Sequence, residues 1–226
     1  MNNAEFKAYK AGLRGAIRKV LAAAPPRSLD EAGFPAYAHP NPVINWLFWQ
    51  RLRRTLEYIE SHAPYERALD FGCGSGVMLP FLGKVAKHVV GLDVDLSPFQ
   101  QMQAHLGFPA NLEVQEAHTV KLEQWPAASF DLIIALDVLE HIEDLPNTLA
   151  ALLRLLGPNG CFVISGPTEN IFYRIGRKLA GPEYSGAYHE RGIAEIKQQL
   201  ASRAHIEHIA TLYWPAPLFE IFAVSL

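Results

Sequence analysis

Ala68-Leu69-Asp70-Phe71-Gly72-Cys73-Gly74-Ser75-Gly76, followed downstream by Val89-Val90-Gly91-Leu92-Asp93, decides how this chain is read. The first stretch is a short apolar strand that runs into a turn holding three alternating glycines. Glycines packed this closely serve where the backbone needs positive φ, or where a Cβ would block close approach. A bulky polar ligand can then lie directly on main-chain N–H groups. The second stretch is a buried strand that ends in a carboxylate, the usual device for holding a ribose hydroxyl pair beside such a turn. Together the two stretches predict a nucleoside-bearing ligand on an open α/β sheet.

Spacing narrows the ligand. The dinucleotide fingerprint is G-x-G-x-x-G, with its pyrophosphate on a helix N-terminus. Here the order is Asp70-x-Gly72-x-Gly74-x-Gly76, with an acid in front and the third glycine one residue early. A carboxylate beside the turn repels pyrophosphate and suits a ligand carrying an ammonium and a sulfonium. Asp93 follows Asp70 by 23 residues. This arrangement resembles motif I of the class I S-adenosylmethionine-dependent methyltransferases, of the small-molecule type. Ala128–Ile142 resembles that family's strand-four region, and Leu156-Gly157-Pro158-Asn159-Gly160 its turn before strand five, with Asn159 in place of one glycine. The resemblance covers residues 66–166 and fades over the N-terminal segment and the last sixty residues.

The chain has 226 residues, half of them hydrophobic, enough to bury one substantial α/β core, so one domain over 1–226 is expected. A net charge of −3 provides no electrostatic footprint for nucleic acid. Two cysteines are too few for a disulfide framework and fit a reducing, cytoplasmic setting. Lys7, Lys10, Arg14 and Arg18 interrupt any signal-peptide core, and no apolar run suits a membrane span.

Phe6, Tyr9, Leu13, Ile17, Val20 and Leu21 recur at helical spacing over 4–23, and Ala24-Pro25-Pro26 stops that helix. A second helix is predicted from Val43 to Ser61, on a stripe of Ile44, Leu47, Leu52, Thr55, Leu56 and Ile59. The two form an N-terminal helical cap over 1–62, ahead of a Rossmann-like core over 63–226. Strands are predicted at Arg67–Phe71, His88–Asp93, Leu112–Glu116, Phe130–Leu136 and Cys161–Ser165, alternating with helices. Those helices start near Val77, at Ser97-Pro98 (running to Leu106) and after Asp144; further ones are expected over Ile171–Leu179 and on to Ser202. Ile206–Trp214 and Leu218–Val224 read as a hairpin. The fold class expected is therefore α/β: a doubly wound, mostly parallel seven-stranded sheet with helices on both faces and a C-terminal antiparallel hairpin.

In such a sheet the ligand sits beyond the carboxyl ends of the strands. That rule selects Asp70, Gly72, Gly74 and Gly76, then Asp93 and Val94, then Glu116, Ala117 and His118, and finally Leu136 and Asp137. Asp93 is expected to take the ribose hydroxyls, with Asp95 as a helix-start carboxylate. The resemblance implies S-adenosyl-L-methionine as cofactor, S-adenosyl-L-homocysteine as product, and Glu116 on the adenine amino group, with the main chain of Ala117 and His118 on the ring. Asp131 reads as a structural acid and Cys73 as a packing residue. His141, just past strand four, is the candidate catalytic base, against a backbone-bonding role at a helix start. Asp137, Glu140, His141 and His189 have metal-ligand chemistry, but the adjacency of Glu140 and His141 argues for no metal. Tyr184–His189 is a candidate closing loop, and Trp46 and Trp49 are either pocket or core.

The resulting expectation is methyl transfer to the oxygen, nitrogen or carbon of a small or amphipathic metabolite. A non-catalytic domain that only binds the cofactor is the alternative, and a nicotinamide-dependent oxidoreductase a third class. Leu136-Asp137-Val138-Leu139 lacks the Asn/Asp-Pro-Pro-Tyr/Phe signature of relatives that methylate planar amides or exocyclic amines. The basic helix 4–23, with Arg174, Arg177 and Lys178 adding a second basic patch, carries an expectation of peripheral contact with an anionic membrane. Docking of that helix on its own domain is the competing reading.

Overall fold

A computed structural model describes residues 1–23, 34–168, 192–213 and 216–226, with the side chains of residues 35 and 36 excepted. The expectations placed on Pro25-Pro26, on 171–179 with its basic patch, on Tyr184–His189 and on Trp214 lie outside the described residues. In chain order the described elements are α1 (Asn3–Ala23), α2 (Phe34–Ala38), α3 (Pro42–Ser61), β1 (Tyr65–Phe71), α4 (Leu79–Val85), β2 (Ala86–Asp93), α5 (Ser97–Gln103) and β3 (Leu112–Glu116). These are followed by β4 (Phe130–Leu136), α6 (Leu145–Leu155), β5 (Leu156–Pro167), α7 (Ile193–Ala201), β6 (His205–Leu212) and β7 (Phe219–Ser225).

The strands form one seven-stranded sheet in the order β3-β2-β1-β4-β5-β7-β6. The five on the β3 side are parallel, and β7 pairs antiparallel with both β5 and β6. Side chains alternate across the pleat, so neighbours in sequence enter opposite cores. Ala68, Val89, Leu132 and Val163 join the core under α1 to α5, whereas Leu69, Val90, Ile133 and Phe162 join the one under α6 and α7. Asp131 ties the sheet together at its amino end, as its residue type suggested: its carboxylate accepts the N–H groups of Glu66 (2.7 Å) and Arg67 (2.8 Å).

The boundaries of β5, α5 and α4 differ from expectation for local reasons. Strand β5 begins at Leu156, because Gly157–Gly160 is a bulge rather than a separating turn. Phe130 pairs with Leu156 and Leu132 with Cys161, so the extra residues loop out of the ladder. At the start of helix α5 Leu96 precedes the first turn without a side-chain cap, and Asp95 accepts both the N–H and the hydroxyl of Ser97, each at 2.9 Å. The helix ends at Gln103, short of Leu106. Helix α4 starts two residues after Val77, where the glycine turn has closed and Pro80 sits in the first turn.

Helix α1 turns Phe6, Leu13, Ile17 and Val20 onto the protein's own core. Phe6 meets Trp49 of α3 edge-on, with ring centres 6.2 Å apart. The helix thus docks its apolar stripe on its own domain, and α1 leaves Lys7, Arg18 and Lys19 exposed. Among the described residues no helix is long and apolar enough to cross a membrane. Helix α3 starts where the Asn41 side chain accepts the Val43 N–H at 2.9 Å, with Pro42 at the first position. Its buried face carries Trp49, Leu52, Leu56 and Ile59. Trp49 is thus core, while Trp46 is 50% exposed.

Candidate active site

The sequence-selected residues come together at the carboxyl ends of β1 to β4. Gly72, Gly74 and Gly76 all take positive φ, at 79°, 50° and 76°. A side chain at Gly72 would be strained twice, by that φ and by a Cβ placed 2.5 Å from Val138 of the β4 tip. The turn is tied to β2: the N–H groups of Gly72 and Cys73 both donate to the Leu92 carbonyl, at 2.7 and 3.1 Å. The Gly74 N–H donates to Asp93 Oδ2 at 2.6 Å, and Asp93 Oδ1 accepts the Asp95 N–H at 3.2 Å. Asp93 therefore stands at the turn, while Asp95 serves the helix start.

Asp70 lies beneath the turn and is 3% exposed. Burial, with the Asp93 charge adding to it, pushes its carboxyl up to about 8. A buried carboxyl of this kind binds a proton until a cation replaces it. The same surroundings push the Cys73 thiol far above its ordinary range, so the thiol stays protonated and Cys73 is a packing residue.

Glu116 ends β3 directly opposite Asp93 in the parallel register. His118 Nε2 lies 3.2 Å from its carboxylate, and Thr119 Oγ1 donates to its carbonyl at 2.7 Å. Ala117 opens a single 3-10 turn, Val94 is 77% exposed at the β2 tip, and Leu136 packs half-buried under the cap. His141 is exposed on a 3-10 turn, its N–H bonded to the Val138 carbonyl at 3.0 Å. Among the described residues no three His, Cys, Asp or Glu side chains gather as a metal site would require.

The structure adds residues that sequence reading missed. Tyr9 of α1 donates its hydroxyl to the carbonyl of Val77, at the exit of the glycine turn. Its phenol is raised well above the ordinary value by burial, then by Tyr37 and by Asp70. Arg51 of α3 forms an ion pair with Asp137 at the β4 tip. Tyr9 sits on an apolar stripe and Arg51 among the polar positions of α3, so periodicity assigns one to core and the other to solvent. Asn45, Trp49 and Arg51 in fact converge on Tyr37: Asn45 Nδ2 donates to its carbonyl at 2.6 Å, and Trp49 Nε1 at 3.1 Å.

The donor set fits a nucleoside that carries positive charge. Asp93 stands beside the turn, Asp70 offers a buried acid for a cation, and no basic side chain lies within Gly72–Gly76 to compensate a pyrophosphate.

Comparison with known proteins agrees with this geometry. Residues 17–218 match the profile of a family described as "Methyltransferase domain". The chain is similar to a ubiquinone biosynthesis O-methyltransferase from Nitrosococcus oceani, 33% identical over 132 residues, 55% of this chain and 56% of that protein. It is also similar to one of the same name from Hahella chejuensis, 29% identical over 151 residues, 63% of this chain and 61% of that protein. The match thus spans about three-fifths of the length of these curated relatives. Among solved structures, the fold is similar to that of magnesium protoporphyrin IX methyltransferase from Synechocystis with bound S-adenosylhomocysteine. That likeness has a TM-score of 0.61 at 19% identity, covering 87% of this chain and 94% of that one.

Proposed function

The chain belongs to the methyltransferase domain family, and from that premise we propose that it transfers a methyl group from S-adenosyl-L-methionine to an oxygen of a small or amphipathic metabolite. One observation carries the cofactor half of this reading. Three left-handed glycines form a turn whose central N–H is held by Asp93 at 2.6 Å, with the proton-binding Asp70 beneath it. The choice of oxygen follows the names of the curated relatives, which are O-methyltransferases.

In this reading the cofactor, when bound, supplies an electrophilic methyl group on a sulfonium. Asp93 holds the ribose hydroxyls, with Glu116 and the Ala117 main chain towards the base. Asp70 loses its proton in favour of the cofactor's ammonium. The cap, through Tyr9, keeps water from the turn. Displacement from a sulfonium is in-line with a good leaving group, so alignment is the protein's main contribution and supplies up to roughly 7–11 kcal/mol.

The test is to denature freshly purified protein and identify released nucleosides by mass spectrometry. S-Adenosylhomocysteine or S-adenosylmethionine is expected, and a nicotinamide dinucleotide would overturn the reading. Turnover of methyl-labelled cofactor with a metabolite extract separates an enzyme from a domain that only binds.

A further inference from the structure

Resting on that reading, we propose that Asp137 is the catalytic residue that takes the acceptor's hydroxyl proton and that Arg51 is its positioning residue. The placement follows from the fold. The ribose end of the site lies at β2 and β3, so the reacting end lies at β1 and β4. The β4 tip touches the glycine turn there, through Val138 against Gly72. Asp137 is the carboxylate at that tip.

Its conformation is held from three sides. The Asp137 N–H donates to the Ser165 carbonyl at 2.9 Å, the Ser165 hydroxyl donates to Asp137 Oδ1 at 3.1 Å, and Arg51 pairs with Oδ2. The backbone is left-handed, φ 56°, a conformation that non-glycine residues adopt under strain. Arg51 is 6% exposed, donates to the Tyr37 hydroxyl at 3.3 Å, and has the rings of Phe48 and Phe219 5.4 and 5.0 Å from its guanidinium carbon. A buried ion pair contributes little net stability compared with apolar packing of the same volume. Strain and a desolvated charge pair at one residue, at the reacting end of the site, point to chemistry.

The Asp137 side chain remains 23% exposed, so it is open to a ligand on one side while Arg51 and Ser165 hold the other. In the step itself the acceptor oxygen forms its bond to the methyl carbon. The carbon–sulfur bond breaks with its electron pair going to sulfur, and the hydroxyl proton passes to the Asp137 carboxylate. The proton becomes strongly acidic as the new bond forms, so an ordinary carboxylate is base enough.

Catechol and its dimethyl ether, 1,2-dimethoxybenzene, serve as probes, titrated by tryptophan fluorescence into protein saturated with S-adenosylhomocysteine. Calorimetric titration of S-adenosylhomocysteine comes first and reads the cofactor assignment separately. Wild type is expected to bind catechol at least about tenfold tighter than the ether, because only catechol offers Asp137 a hydroxyl. Asp137→Asn should lose that preference. Asp137→Asn combined with Arg51→Met removes both charges and guards against a stranded guanidinium; it should lose the preference too, with cofactor affinity unchanged. Arg51→Lys keeps a cation beside Asp137 and should retain part of the preference, and turnover of catechol should fall about a hundredfold or more in Asp137→Asn. If wild type binds cofactor but prefers neither probe, or if the double variant keeps the preference, the proposal is overturned.

Discussion

Asp70→Asn should make the ligand-free protein more stable while crippling it as a cofactor binder. In the unfolded chain this carboxyl titrates near pH 4, whereas burial beside Asp93 moves it to about 8 in the fold. A raised carboxyl means that the folded state holds a proton the unfolded state has released. Stability is therefore unaffected below about pH 4, falls as pH rises through the interval, and levels off above about 8. At 1.36 kcal/mol per pH unit, the roughly three units between 4 and 7 put the cost at about 4 kcal/mol at neutral pH. The amide has the same shape as the protonated acid and does not titrate. Urea unfolding of both proteins at pH 5 and 7.5 measures the effect. The variant's advantage should grow by about 3 kcal/mol between those two conditions, other titrations cancelling in the difference. An advantage that does not change with pH would refute the buried, protonated Asp70 on which the reasoning rests.

The same group makes cofactor binding pH-dependent: because Asp70 must ionise to meet a cation, affinity should rise about ninefold from pH 6 to pH 7, with about 0.9 proton released at pH 7. Calorimetry in buffers of different ionisation enthalpy reads both quantities. Gly72→Ala combines left-handed strain with a Cβ against Val138 and should cost at least about 1–3 kcal/mol, lowering the thermal midpoint and the cofactor affinity together. Tyr9→Phe removes the bond to the Val77 carbonyl; amide exchange in α1 should quicken while the sheet is unaffected. In the core under α6, Leu152→Ala should cost about 2–5 kcal/mol without altering cofactor affinity, measured by the same titration.

Much of the sheet is legible because its signals are local. Phe130–Leu136 ends where its apolar run ends, Leu112–Glu116 where its apolar alternation ends, and the glycine turn announces itself by composition. That Asp70, Asp93, Glu116 and Leu136 lie at or near strand ends is likewise legible from where those runs stop. What escapes is long-range. Asp95 and Ser97 are both good caps, and only the backbone decides which carboxylate or hydroxyl accepts the bond. Gly157–Gly160 has the residues of a turn whether it interrupts a strand or bulges from it; the pairing of Phe130 with Leu156 settles that. At the β4 tip, residue type draws attention to His141, because histidine is a common acid–base side chain. The strand-end rule reaches Asp137 too, but its partners Arg51 and Ser165 are remote in sequence and no periodicity links them to it.

The central claim is that the glycine turn and the acids around it hold a sulfonium nucleoside, and Asp93 is its most direct test. Asp93→Ala leaves the strand pairing of β2 intact on paper but removes the acceptor of the Gly74 N–H and the ribose clamp. S-Adenosylhomocysteine titrated calorimetrically should bind wild type at one site and bind Asp93→Ala about a hundredfold or more weaker, with circular dichroism unchanged. Equal affinity in the two proteins would contradict the account.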